Sequence, residues 1–243
     1  MNDSSFDIAR REFKHGKIAY GFQWNKTNHQ RFGTESGESA SLWAHLSTVL
    51  SGKIPEDPFT NPFYTKASKL RFKKMSRASK TNLRRKLERT GSLQCSVNHE
   101  LVDHIRNLHR QRDDSSYMAD HGIIADFLTF DPKAIAIEVP VWSNRYNLSG
   151  HIDLIRLVDG IVQVCDYKPG SLETTSTRFL GAIPQISAYG EMMSLHLAST
   201  LRSALEAPLL PKVVCSIFDT HSSWHFGAEM FVTLQASGMI AEF

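Results

Sequence analysis

Three residues in the second half of this 243-residue chain have the types and spacing needed for metal-assisted chemistry. Asp166 and Lys168 are two positions apart in Val164-Cys165-Asp166-Tyr167-Lys168, so a strand would put them on one face. Asp153 closes Gly150-His151-Ile152-Asp153, and the intervening Asp159-Gly160 is a hairpin signal that makes the two segments antiparallel neighbours. Two carboxylates and an ammonium would then meet at the end of a sheet. Carboxylate oxygens suit the hard cations Mg²⁺ and Mn²⁺. Such a cation neutralises a phosphate and lowers the pKa of its bound water. A lysine beside it orients or deprotonates that water and stabilises developing charge. The set suits in-line hydrolysis of a phosphodiester.

A plainer reading competes with this one, because Asp and Lys at alternate strand positions are usually a solvated face. Here, however, Asp166 and Lys168 end the apolar run of Ile161, Val162, Val164 and Cys165, and Asp153 interrupts Leu148, Ile152, Leu154, Ile155 and Leu157. Charges in such places need a partner or a purpose. Spacing alone leaves both readings open.

The elements that must position these residues follow from periodicity. Ala134 to Trp142 alternates and is rich in β-branched residues, which predicts a strand. Asn144 to Asn147 predicts a turn, and Leu148 to Val158, Ile161 to Tyr167 and Lys212 to Phe218 predict three further strands. Ile183 to Leu205 predicts a long helix, with Ile186, Tyr189, Met193 and Leu197 on one face. Upstream, helical spacing is found from Ser39 to Leu50 with Gly52 as a stop, from Leu101 to Gln111, and from Tyr117 to Leu128. Met1 to Gly37 is polar and aromatic and fits no template. The order is helices, a three-strand meander, a helix and a strand, which is an α/β domain with a mixed sheet.

In this order, Gly150-His151-Ile152-Asp153, then Asp166-Tyr167-Lys168-Pro169-Gly170, then Gln185-Ile186-Ser187-Ala188-Tyr189 resemble G-x-x-D, (D/E)-x-K and Q-x-x-x-Y. That is the motif set of the RecB-like branch of the PD-(D/E)XK nucleases, which includes recombination and CRISPR-adaptation exonucleases. Ile137-Glu138-Val139-Pro140-Val141 is similar to the first core strand of that branch. The resemblance covers Ala134 to about Ser194. It implies a restriction-endonuclease-like core, a central mixed sheet flanked by helices, over 117–243. Residues 1–116 would be a mostly helical basic part, belonging to or inserted into that core. It also implies that Asp153 and Asp166 bind Mg²⁺ or Mn²⁺, that the Tyr167 carbonyl is a further ligand, and that Lys168 positions or activates water. Gln185 and Tyr189, one helical turn apart, would face nucleic acid. The branch adds an upstream metal-binding histidine, for which His45 in Ser39 to Leu50 is the candidate and His121 the rival.

Lys66 to Arg89 carries eleven basic residues and one acid, Glu88, in a chain whose net charge is only +3, so the remainder is acidic. Lys73, Lys74, Arg84 and Arg85 are therefore candidates for sequence-independent phosphate contact, with Phe72 placed to stack on a base. The alternative is a solvated helical face or a docking surface for a protein. Cys95, Cys165 and Cys215 are far apart, which argues against a zinc site or disulfide framework and predicts buried small residues. Three cysteines cannot supply the four ligands of the iron–sulfur cluster found in some relatives of this branch. No G-x-x-x-x-G-K-[ST] loop occurs, so unwinding would fall to a partner such as a helicase or another recombination or repair protein. No apolar run reaches transmembrane length and Met1 to Gly16 lacks a secretory pattern, which predicts a soluble, intracellular (cytoplasmic) protein. The expected function is a Mg²⁺- or Mn²⁺-dependent deoxyribonuclease, an exonuclease or a structure-guided endonuclease on single- or double-stranded DNA. The alternative is a non-catalytic nucleic-acid-binding subunit on the same fold.

Overall fold

A computed structural model of the chain describes residues 6–15, 18–34, 37–112, 121–170, 172, 177–201 and 212–241. It opens on a hairpin of β1 (Ile8–His15) and β2 (Ile18–Asn25), followed by α1 (Lys26–Gln30), α2 (Gly37–Ser51) and the single turn α3 (Asp57–Thr60). The basic segment forms β3 (Thr65–Lys66), β4 (Arg71–Phe72) and α4 (Arg77–Arg89). Then come β5 (Gln94–Ser96), α5 (Glu100–Arg112) and α6 (Ile124–Phe130), with a 3₁₀ turn at His121–Ile123 before α6. The meander is β6 (Ala134–Ser143), β7 (Leu148–Val158) and β8 (Ile161–Tyr167). After it come α7 (Ile183–Leu201), β9 (Val213–Phe218), β10 (Ser223–Gly227), α8 (Met230–Ala236) and β11 (Ile240–Ala241).

Among the described residues the central sheet runs β1-β2-β6-β7-β8-β9-β10-β5, with β3 alongside β7, and β4 pairs β11 separately. The β8–β9 and β3–β7 pairs are parallel and the other pairs in this sheet are antiparallel. The protein is thus α/β with a large mixed sheet. The meander and the β8–α7–β9 crossover match the expected elements nearly residue for residue. The turn between β7 and β8 has Asp159 and Gly160 at φ 50° and 78°, as a type I′ turn requires.

Period-two alternation assigns the faces. Along β8, Val162 and Val164 join Ile186 and Met193 of α7, Leu42 and Leu46 of α2 and Phe231 of α8 in the larger core. Cys165 and Tyr167 point the other way, to Leu101 and Ile105 of α5 and Phe127 of α6. Under α5, the fully buried Arg156 guanidinium donates to Asp131 at 2.6 Å, to Glu100 at 2.7 Å and to Gln163 at 2.7 Å. A buried charge needs this many partners, and removing one partner of such a pair costs about 3–5 kcal/mol.

The N-terminal part combines the helices α1 to α5 with strands that the expectation for 1–116 did not include. The β1–β2 hairpin extends the central sheet through Gln23↔Ile137 and Trp24↔Ala136. In β1, Phe13 and His15 are buried whereas Arg10, Arg11, Glu12 and Lys14 are exposed. An edge strand needs only a sparse apolar face, and its charges discourage pairing with other chains. The basic segment contains one α-helix, a 3₁₀ turn at Ala67–Lys69 and two short strands, and Leu83 and Leu87 anchor the helix against the larger core. Cys165 and Cys215 are buried as expected, but Cys95, on the short edge strand β5, is exposed. Residues 117–120 and 202–205 of the expected helices lie outside the described residues.

Candidate active site

The site forms where β8 leaves β7. Their pairing runs from Val158↔Ile161 to Leu154↔Cys165, so the next step sets Asp153 beside Asp166. Beyond that point β8 stays with β9, through Tyr167↔Phe218 and the Lys168 N–H donated to the Phe218 carbonyl at 3.0 Å. The far end of β7 is bordered by β3 instead, at Leu148 and Ser149. The divergence opens a gap between β7 and β8 next to the two aspartates.

Asp166 is only 1% exposed, yet Lys168 Nζ lies 2.6 Å from its Oδ2. That ammonium is off the hydrogen-bonding direction, so neither buried oxygen of Asp166 has a well-aligned donor. Burial first, and then the charge of the neighbouring Asp166 carboxylate, push the Asp153 carboxyl well above the usual aspartate range, with Lys168 opposing and Glu138 adding. Two carboxylates this close and this dry hold either a shared proton or a cation.

Glu138 is the residue that sequence reasoning passed over. The β6–β7 register of Ile137↔Leu154 and Val139↔Ile152 puts it directly opposite Asp153. Glu138, Asp153 and Asp166 therefore form a row across three adjacent strands. Burial raises the Glu138 carboxyl as well. Its φ of 51° is in the left-handed region, which a non-glycine residue enters only at a cost. Glu138 and Asp153 line two cavities together, of about 210 Å³ and 260 Å³. The signal was present in the sequence, since Glu138 is the sole charge in Ala134 to Trp142.

The third motif is placed by α7. Tyr189 lies against β7 at Gly150, where a Cβ would overlap the Tyr189 ring and come within 3.0 Å of its hydroxyl oxygen. The Gln185 amide donates to that hydroxyl at 3.2 Å. Burial raises the Tyr189 phenol far above its ordinary value, opposed by the Gln185 hydrogen bond and reinforced by Asp153 and Asp166. Gln185 lines a further cavity of about 390 Å³ with Lys168, Arg71 and Arg178, and Tyr189 lines the 210 Å³ cavity with Asp153. The Tyr167 backbone joins Asp166 to Lys168, and its ring turns to the opposite face, where the hydroxyl is 3.1 Å from His109 Nε2.

Other expected site residues are not brought to this row. His45 is buried between Trp142 and His196, stacked on the latter at a centroid distance of 4.6 Å. Its ring hydrogen-bonds the Pro140 carbonyl, its Nε2 has no partner, and burial lowers its pKa to about 4. It lines neither cavity that contains Asp153. The rival His121 has its backbone in the 3₁₀ turn before α6, and its side chain lies outside the described residues. Of the basic candidates, Lys73, Lys74 and Arg85 are exposed. Arg84 is not available in the same way, because it donates to Glu88 at 3.1 Å and lies over the buried Trp224 ring at 5.5 Å. Phe72 is half-buried against the larger core, not presented as a stacking platform.

A divalent cation fits the observed donors. The Asp166 oxygens lack aligned donors, and the Asp153 and Glu138 carboxyls, pushed up chiefly by burial, would be favoured in their ionised form by a cation beside them. Among the described residues no three His, Cys, Asp or Glu side chains group closely enough to hold a metal ion by themselves, and a cation here would take its remaining oxygens from water and substrate. No helix of the described residues is long and apolar enough to cross a membrane. Comparison with protein-family models, curated proteins and solved structures finds no match to this chain.

Proposed function

We propose that this protein is a metal-dependent nuclease of the PD-(D/E)XK type, RecB-like branch, with a restriction-endonuclease-like core, that hydrolyses phosphodiester bonds in DNA. The carrying observation is the pair Asp153 and Asp166 at the point where β7 and β8 part, with Lys168 Nζ 2.6 Å from Asp166. A scaffold would have no use for two touching carboxylates in so dry a place.

Asp153 and Asp166 would hold Mg²⁺ or Mn²⁺, with Glu138 reaching the same row from β6 and the Tyr167 carbonyl as a further donor. The bound cation supplies Lewis acidity and a water of lowered pKa. Lys168, about one-third exposed, keeps its ammonium at the cleft, where it orients the attacking water and donates to a phosphate oxygen as charge develops. Glu138, whose carboxyl burial makes more basic than usual, would in its ionised form accept a proton from that water. Gln185 and Tyr189 steady the strand from α7. Exposed Lys73, Lys74 and Arg85 add affinity without sequence preference. A helicase or another recombination or repair protein would supply any unwinding.

The test is an assay panel of linear and circular, single- and double-stranded DNA, and RNA, with Mg²⁺, Mn²⁺ or EDTA. Cleavage with either cation that is lost in EDTA is expected. Purified, folded protein that leaves every substrate intact at all cation concentrations would overturn the reading.

A further inference from the structure

We propose that the cavity beside Asp153 is a pocket for one unpaired nucleobase, so that the strand reaches the site single-stranded. This rests on the nuclease reading and adds the form of the substrate to it. The cavity has a volume of about 210 Å³ and opens on Asp153 and Glu138. Pockets for drug-sized ligands usually measure about 300–1,000 Å³, so this one has room for a flat ring system but not for a base pair.

Its walls are aromatic. The Tyr20 ring stacks on His151 at 3.5 Å with an interplanar angle of 10°, and His15 stacks on Phe59 at 4.1 Å and 12°. His15 Nδ1 and His151 Nε2 are 3.2 Å apart and hydrogen-bonded, which ties the two stacks into one rigid wall. Burial disfavours the protonated form of both histidines, so the wall presents neutral rings. Neutral π faces suit a nucleobase and do not suit a phosphate. Lys66, Ser68 and Glu138 also line the cavity and offer hydrogen-bonding groups to a base edge. Tyr20 is half-buried and lines the cavity.

The opposite side of the row has the complementary character. Lys168 lines the 390 Å³ cavity with Arg71 and Arg178, and among the described residues no carboxylate lines it. The Gln185–Tyr189 hydrogen bond links the two cavities, with one residue in each. A strand with its phosphates on the cationic side, its scissile bond at Asp153 and Lys168, and the next base in the aromatic cavity satisfies both. A duplex would have to give up that base from its stack first.

The experiment uses the full chain with Ca²⁺ or EDTA and single-stranded oligonucleotides carrying 2-aminopurine at successive positions. Fluorescence at one position should fall several-fold on binding, and other positions should change little. Tyr20→Ala should abolish that quench and Tyr20→Phe should keep it, with circular dichroism reporting the fold. An abasic site at the same position should weaken binding by wild-type protein roughly 5- to 100-fold, the value of stacking one base, without any substitution in the protein. Equal fluorescence at all positions, with no penalty for the abasic site, overturns the pocket. If cleavage is absent but one position is quenched, the pocket stands and the nuclease reading falls. If cleavage is normal and no position is distinguished, the reverse holds. No binding of any oligonucleotide, read by anisotropy, overturns both.

Discussion

Gly150 and Tyr189 meet with no space for a side chain between them, the tyrosine ring lying on the strand backbone at the point where a Cβ would be. The glycine and the tyrosine of two separate motifs are thus one packing contact, which fixes α7 over β7 a short step from Asp153. Gly150→Ala should destabilise the protein by about 1–3 kcal/mol, the usual range for overpacking, and reduce cleavage. Tyr189→Leu in the same chain should recover part of that stability, because the intruding ring is gone. Denaturant unfolding of the two single variants and the double variant measures this. Strict additivity would mean that the two residues do not constrain each other.

Asp166→Asn separates chemistry from stability. It removes the more buried of two carboxylates in contact, so the cation-free protein should be as stable as wild type or more so. Cleavage should fall by at least about 10²–10³-fold, as for loss of a group that stabilises transition-state charge. Thermal melting in EDTA and single-turnover cleavage in Mn²⁺ read the two effects. Near-wild-type cleavage would remove Asp166 from the site.

Glu138 is held at φ 51°, a conformation that glycine adopts freely. Glu138→Gly should therefore cost no stability and raise it by up to about 1 kcal/mol. The same substitution removes the carboxylate across from Asp153, so the Mn²⁺ concentration for half-maximal cleavage should rise several-fold. A variant less stable than wild type, with an unchanged Mn²⁺ requirement, would give Glu138 a packing role only.

The meander and the crossover helix were legible because their signals are local. Alternation set β6, β7 and β8, Asp159-Gly160 set the hairpin, and the apolar face of α7 set its register. Those elements carry Asp153, Asp166, Lys168, Gln185 and Tyr189, so most of the row followed from sequence. The β1–β2 hairpin did not, because its stability comes from Phe22 and Trp24 buried against distant strands, while its outer face is charged. Glu138 was missed for a related reason. Its place opposite Asp153 depends on the β6–β7 register, and that register contains an irregularity between Ala134 and Ala136. The environment of His45 was invisible too, since His196 and Trp142 come to it from other elements.

Several buried histidines make the fold acid-sensitive, His29 and His45 among them. His29 accepts the Trp24 indole N–H at Nδ1 and hydrogen-bonds the Ser39 carbonyl through Nε2, so a second ring proton must displace a partner. Burial lowers the pKa of His29 and of His45 to about 4 from 6.5. A lowered folded-state value means stability that is complete above pH 6.5 and is lost as pH falls toward 4, by up to about 3 kcal/mol for each. Asp131 extends the loss at lower pH. Burial raises its carboxyl, but the His104 ring and the Arg156 guanidinium outweigh that and hold it at about 2, below the usual 3.8. Its share is lost between those values. Unfolding midpoints across pH 7 to 2 should fall in two stages, and His45→Gln should flatten the first. An unchanged first stage, with a higher Mn²⁺ requirement for cleavage, would place His45 at the metal.

The basic segment separates binding from chemistry, and the structure divides its residues. Lys73, Lys74 and Arg85 are exposed, whereas Arg84 is engaged by Glu88 and Trp224. Phosphate contacts release condensed counterions, so each contact adds about 0.9 to the slope of log affinity against log salt on duplex DNA and about 0.7 on a single strand. Replacing Lys73, Lys74 and Arg85 together with Ala should make that slope shallower by up to about two units on a single strand. Many sequences should be weakened about equally, and cleavage at saturating substrate should change little. Arg84→Ala should instead lower the unfolding midpoint, because it uncovers Trp224, and leave the salt slope nearly as it was. Fluorescence anisotropy over a salt series and thermal melting distinguish the two classes. A slope unaffected by the triple substitution would mean that α4 and the residues before it face solvent or a protein instead of the nucleic acid.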